Sequence, residues 1–235
     1  MAHYLDVKPV SEVDMPSCME ILIPSFEFMS ISEILNGLNT SSDREALSNL
    51  HWQTIQEHVA RYPQSGAVGI KCVDVDQVTR NETIIGYAEW FIYPQPRALD
   101  ECLKPLGFMQ PPRSADNDKN VSIRDYFRPS IETRADIMGT QPYGLLVWLC
   151  VSPSFRRKGA ASRLMKWGTD QCAKLAVPAY LEASHEGKKL YESLGWQELQ
   201  HPRVRDIGYP IMMWWPNESP ETRDVGTDMH ALNKN

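Results

Sequence analysis

Three cations crowd one turn of this chain. Arg156, Arg157 and Lys158 stand directly before Gly159, Ala160 and Ala161, behind an apolar run from Leu145 to Val151 that stops at Pro153. Apolar run, proline, basic turn, then helical spacing from about Ala161: the order is strand, turn, helix. Such a turn presents backbone N–H groups, and the helix behind it presents the positive end of its dipole. With mobile cations alongside, this suits a di-anion such as a pyrophosphate. A plain strand-to-helix connection with a solvated basic turn has the same composition, so the turn needs support from elsewhere.

That support lies downstream. Ala179 to Ser184 reads as a strand and leads into Glu186-Gly187-Lys188-Lys189-Leu190-Tyr191-Glu192-Ser193-Leu194-Gly195-Trp196, a second helix with a Leu-Gly-aromatic stop. At this point the chain resembles the GCN5-related N-acetyltransferase (GNAT) superfamily. The family's acetyl-CoA motif, Gln/Arg-x-x-Gly-x-Gly/Ala, is matched by Arg156-x-x-Gly159-x-Ala161. Its Leu-Tyr-x-x-x-Gly-Phe helix is matched by Leu190-Tyr191-x-x-x-Gly195-Trp196. Clear resemblance runs from Tyr143 to Leu199, with a looser match towards the N-terminus. Ala161 replaces Gly, and Trp196 replaces the usual Phe.

The resemblance implies an α/β (α+β) fold: a mixed, mainly antiparallel sheet splayed near Val151 at the acetyl-CoA site, with helices on both faces. It implies acetyl-CoA as cosubstrate. Backbone N–H groups from Arg157 to Ala161 would hold the phosphates, with Arg156 and Lys158 adding charge. Backbone at Cys150 and Val151 would pair with the pantetheine arm. Ser184 stands where many relatives carry an Asn that contacts the cofactor. Tyr191 would protonate the departing thiolate. The length and the Leu-Glu-Ala-Ser strand before the Leu-Tyr helix look similar to small-molecule-type GNATs of filamentous fungi.

Acetyl transfer to an amine also needs the nucleophile neutral, although an alkyl amine has a pKa of about 10. Two carboxylates qualify as bases. Glu89, in an expected strand Ile84–Tyr93, shares a face by alternation with Ile85, Tyr87, Phe91 and Tyr93. Glu182, in the strand Ala179–Ser184, shares one with Tyr180 and Ser184. Either carboxylate could instead bond within the sheet or face solvent. His185 reads as a cap or surface residue, and His51 and His58, on one helix face, read as surface residues rather than metal ligands. Cys150, in an apolar strand, reads as inert core.

The elements that position these groups follow from pattern. Tyr4–Val7 is a first strand. Ser11-x-x-Asp14 opens a helix to about Pro24. Ile31–Leu35 is a short helix. Asp43 caps another, marked by Trp52, Ile55, Val59 and Tyr62 and ended by Pro63. Val68–Val75 and Ile84–Tyr93 form a hairpin. Residues 94–142 are an insertion, helical only over Tyr126–Met138, that is either a substrate-facing wall or a surface loop. Trp90, Phe91, Tyr93, Tyr143, Trp148, Trp214 and Trp215 read mostly as core, with a subset lining an apolar acceptor pocket that Tyr126 and Phe127 could close. Helix 161–175 buries Ala161, Leu164, Met165, Cys172 and Leu175. Short strands follow at Gln197–Leu199 and Ile211–Trp215. Residues 1–216 thus read as one domain and 217–235 as a polar, disordered tail.

Composition narrows the function further. A net charge of −6 opposes a nucleic-acid partner. Five cysteines without paired or zinc spacing, and no secretory or lipidation signal, imply reduced thiols and a cytoplasmic setting. No apolar run has the length of a membrane span. The function expected is acetyl-CoA-dependent N-acetylation of a small-molecule amine by direct transfer, without metal, with a homodimer left open. A protein-lysine acetyltransferase and a non-catalytic or repurposed acyl-CoA-binding domain are the alternatives.

Overall fold

Two apolar runs joined by a polar turn build the centre of the sheet. Gly69–Asp76 (β2) and Glu82–Tyr93 (β3) pair antiparallel from Val75↔Glu82 to Gly69↔Glu89. The turn closes because the Asp76 carboxylate accepts the N–H groups of Val78 at 2.7 Å and Thr79 at 3.0 Å, the local bonding that favours Asp in turns. This computed structural model describes residues 3–26, 41–109, 117–202 and 208–216, with backbone alone at 42, 43 and 117–124. The expected helix Ile31–Leu35 and the tail 217–235 lie outside the described residues, as do 110–116 of the insertion.

β1 (His3–Pro9) joins β2, and β4 (Tyr143–Val151) joins β3, both antiparallel. β5 (Ala179–Glu182) pairs with β4 in parallel, but only at Gly144↔Ala179 and Leu145↔Tyr180. β6 (Gln197–Glu198) and β7 (Ile211–Trp214) complete an open seven-stranded sheet in the order β1-β2-β3-β4-β5-β7-β6. From Leu146 to Val151, β4 has no strand partner on its β5 side among the described residues. The expected splay is therefore present, and it opens several residues before Val151.

One face of the sheet carries α1 (Met15–Ser25), α2 (Ser41–Arg61) and the apolar side of α4 (Asn117–Met138) over Tyr87, Phe91, Tyr143 and Trp148. A short α3 (Leu99–Cys102) precedes α4. The other face carries α5 (Ala160–Lys174) and α6 (Lys188–Ser193) over Ile85, Trp90, Ile92 and Leu181. α5 lies close because Gly168 rests on the Trp90 ring, where an added Cβ would stand 2.0 Å from it. The Ser11-x-x-Asp14 pattern opens a 3-10 turn, Glu12–Asp14, that leads into α1 at Met15: the Ser11 N–H and hydroxyl both donate to the Asp14 carboxylate, at 2.8 and 2.6 Å.

Several boundaries differ from the sequence reading. α2 begins at Ser41, so Asp43 lies inside its first turn rather than at its cap. α4 begins at Asn117, not Tyr126; its opening Asn-Asp-Lys-Asn has no apolar period by which to extend the helix backwards. β5 ends at Glu182, leaving Ser184 in the following loop. α5 buries Ala160 fully and Ala161 only half. Ile85 is on the opposite face from Tyr87, Phe91 and Tyr93. Cys72 pairs with Gly86 and Val73 with Ile84, so Ile85 is the extra residue of a β-bulge, which breaks the alternation. A second irregularity, Glu89↔Trp148 followed by Trp90↔Leu146, leaves Val147 unpaired on β4 beside the splay.

Candidate active site

The end of β4 turns sharply. Ser152 N–H donates to the bulged Ile85 carbonyl at 2.8 Å, and Pro153–Phe155 form one 3-10 turn. Arg157 has φ +64° and Gly159 φ +87°. Gly159 is the N-cap of α5, with no side chain to satisfy the first-turn N–H groups. An added Cβ at Gly159 would meet nothing within 4 Å, so the space in front of the turn is open, while its φ still disfavours any L side chain. No acidic residue occupies the first turn of α5, and Arg156, Arg157 and Lys158 are exposed beside it. Positive dipole end, open N–H groups and three cations thus converge where the spacing placed them. Arg156 Nε donates to the Val151 carbonyl at 3.3 Å, folding that side chain back onto the strand end.

Between the diverging strands lies a cavity of about 420 Å³. β4 supplies Leu145–Leu149, β5 supplies Leu181 and Glu182, and Ser184 and Tyr191 also line it. Across from them stand Tyr126, Phe127 and Arg134 of α4, with Tyr209. The insertion therefore walls this site.

Tyr191 is held by the helix stop behind it. Gly195, at φ +84°, lets Trp196 N–H reach the Tyr191 carbonyl at 3.1 Å while Gly195 N–H donates to Glu192, a double-bonded helix ending. Trp196 then packs on the Tyr191 ring, centroids 6.2 Å apart. Gly187 makes room on the other side, since a Cβ there would stand 3.1 Å from the ring. Burial pushes the Tyr191 phenol up to about 12, so it keeps its proton at working pH. Ser184 caps the approach to α6, its hydroxyl accepting Gly187 N–H at 3.1 Å.

The two candidate bases lie in different environments. Glu182 lines the cavity, accepts the Tyr180 hydroxyl at 3.1 Å, and faces the Arg134 guanidinium at 3.7 Å. Glu89 is completely buried and lines neither large cavity. One of its oxygens accepts the Tyr87 hydroxyl at 2.6 Å and meets His51 Nδ1 at 2.5 Å; the other has no partner among the described residues. Cys150 is buried with its thiol pushed up by burial, and its Sγ approaches the Tyr87 carbonyl at 3.6 Å, which leaves only its backbone for a ligand.

His51 and His58 overturn the surface reading: both are buried. They sit on the same stripe of α2 as Ile55 and Tyr62, the stripe that packs on the sheet. His51 stacks on Phe108 with centroids 4.6 Å apart, and His58 Nε2 is 2.9 Å from the Ile92 carbonyl. His185 is exposed, as expected. No metal-holding cluster occurs among the described residues. Arg134 escaped the sequence reading, although it interrupts the buried stripe Ile131, Ala135 and Met138; a lone Arg in such a stripe is the available signal. A second cavity of about 910 Å³, bounded by Thr54, His58, Tyr93, Arg97 and Ile131, meets the first at Met109 and Phe127.

A family model for the acetyltransferase (GNAT) domain matches residues 128–198, from within α4 to β6. No curated protein matches the sequence. Among solved structures, a mosquito arylalkylamine N-acetyltransferase like 5b is 14% identical, with 90% of this chain and 100% of that one covered at a TM-score of 0.56. The C-terminal condensation domain of Ebony, in complex with beta-alanyl-dopamine, is 10% identical, covering 91% and 99% at 0.55. A PaiA N-acetyltransferase from Thermoplasma acidophilum, in complex with coenzyme A, is 12% identical, covering 90% and 99% at 0.46. The fold is the GNAT fold, and the stretch from α4 to β6 is similar to the acetyltransferase (GNAT) domain.

Proposed function

We propose that the protein is an acetyl-CoA-dependent N-acetyltransferase acting on a small-molecule amine by direct transfer. The observation that carries this is Tyr191, protonated and aimed into a cavity that opens between β4 and β5 next to the cationic N-terminus of α5. Acetyl-CoA supplies an activated acetyl group as a thioester. The N–H groups at Arg157–Ala161 fit its pyrophosphate, helped by Arg156 and Lys158, and the unpaired edge of β4 at Cys150 and Val151 fits a pantetheine arm added like a strand. Ser184 lies beside this path. Glu182 takes the proton from the attacking amine, and Tyr191 gives one to the leaving sulfur. Of the two carboxylates Glu182 is favoured, because it faces the cavity and Glu89 does not. Residues 1–216 act as one catalytic domain, with 94–142 as its acceptor-side insertion.

A protein-lysine acceptor is disfavoured by the wall of Tyr126, Phe127 and Tyr209 over the cavity, since a peptide needs an open groove. The test is thiol release from acetyl-CoA with a panel of small amines and a lysine peptide. Turnover with small amines supports the reading; turnover with the peptide alone moves the assignment to the protein acetyltransferase.

A further inference from the structure

A buried arginine facing a substrate-sized cavity invites the question of what it neutralises. Arg134 is 5% exposed. Burial alone pulls its guanidinium down, but Tyr143, Glu182, Tyr180 and Tyr93 around it outweigh that and hold it firmly charged. Its ion-pair partner among the described residues is Glu182, at 3.7 Å. That is too long for a hydrogen bond and far from the two-pronged pairing that satisfies an arginine with a carboxylate. Both groups line the same 420 Å³ cavity, and Glu182 also receives the Tyr180 hydroxyl.

The pair therefore offers a positive and a negative site side by side. Fixed charges in that arrangement complement a molecule carrying the opposite two, equally close together. In an α-amino acid the nitrogen and the nearer carboxylate oxygen are separated by about 3 Å, set by two single bonds and one C–O bond. The 3.7 Å between Arg134 and Glu182 is of the same order, so each end of such a molecule can lie against one of the two side chains. Leu145, Val147, Trp148, Met109, Phe26 and Phe127 give one part of the lining an apolar and aromatic surface, while Ser184, Tyr191 and Tyr209 are polar groups elsewhere on it.

Resting on the acetyltransferase reading, we propose that the acceptor is a free α-amino acid with a bulky apolar or aromatic side chain. Its carboxylate is held by Arg134 and its amine lies against Glu182, which takes the amine proton. The apolar side chain fills the part of the cavity under Phe127 and Trp148. Arg134 contacts substrate but moves no proton, so its contribution belongs to binding and orientation.

The experiment compares each amino acid with the amine left by its decarboxylation: phenylalanine with phenethylamine, tryptophan with tryptamine, leucine with isopentylamine. Initial rates are measured by thiol release for the unmodified protein, Arg134→Gln and Arg134→Lys, with acetyl-CoA binding measured in parallel by calorimetry. The unmodified protein should prefer the acid in kcat/KM by roughly 10- to 100-fold, the worth of one charge-assisted hydrogen bond. Arg134→Gln should collapse that preference to near unity, mainly through KM for the acid, and Arg134→Lys should restore part of it. Equal or better use of the amines by the unmodified protein overturns the proposal, as does a preference that survives Arg134→Gln. Acetyl-CoA binding without turnover of any amino acid overturns it too, while leaving the acetyltransferase reading standing. Failure to bind acetyl-CoA defeats that reading itself, and this proposal with it.

Discussion

At Tyr191 the surroundings select one protonation state. The ring is sandwiched between Trp196 and Gly187, and burial lifts the phenol from 10.0 to about 12. A phenol that stays protonated can donate to a departing sulfur across the whole working range, so loss of activity on its account should not begin below about pH 11. Tyr191→Phe keeps the packing and removes the proton. Turnover should fall by about 10²-fold with acetyl-CoA affinity unchanged, measured by thiol release and calorimetry; equal loss of both would make Tyr191 a packing residue. The carboxylates separate in the same manner. Glu182→Gln should lower kcat/KM by about 10²-fold, because Glu182 faces the cavity. Glu89→Gln should act mainly on thermal stability. His51→Ala should cost more than Glu89→Gln, roughly 3 kcal/mol or more, because it strips a fully buried carboxylate of one of its two partners. Melting temperatures of these two variants decide that ranking.

Among the elements, α2 carries the clearest pH dependence. Burial lowers His58 from 6.5 to about 4. The unfolded chain therefore binds a proton between those values that the folded chain refuses. Stability from the neutral imidazole is fully present above pH 6.5 and drains away as pH falls towards 4, by roughly 3 kcal/mol in all. Denaturant midpoints at pH 7 and pH 4.5 should show that loss, and His58→Gln should flatten it; an unchanged acid loss in the variant would clear His58 of the effect. The same helix shows where pattern reading stops. Trp52, Ile55, Val59 and Tyr62 gave α2 its period, but whether His51 and His58 face water or sheet depends on which stripe meets β3, and polar residues carry no sign of that. β2, β3 and α5 were legible as elements because each is an apolar or amphipathic run with a turn or proline at its end. The bulge at Ile85 was not, since it comes from one unmatched residue between two paired strands. Nor was the start of α4, whose first turns have no apolar stripe.

For the whole molecule, the open sheet turns two unremarkable local motifs into one site. Parallel pairing of β4 and β5 ends at Leu145, so the strands part along the rest of β4, and the gap is walled by α4 from the insertion. The basic turn and the Leu-Tyr helix could be read from spacing, because backbone turns and helix stops are short-range events. The charge pair Arg134–Glu182 could not, since its members come from α4 and β5 and meet only through the fold. No helix among the described residues is long and apolar enough to cross a membrane. Everything proposed for function hangs on the turn at Arg156–Ala161 holding acetyl-CoA. The most direct check is calorimetric titration of the protein and its Gly159→Asp variant with acetyl-CoA, free CoA and ATP. Acetyl-CoA and CoA should bind the unmodified protein at micromolar Kd, ATP should not, and the variant, with a strained φ and a carboxylate facing the phosphates, should lose at least tenfold. No binding of acetyl-CoA, or equal binding by the variant, would contradict the account.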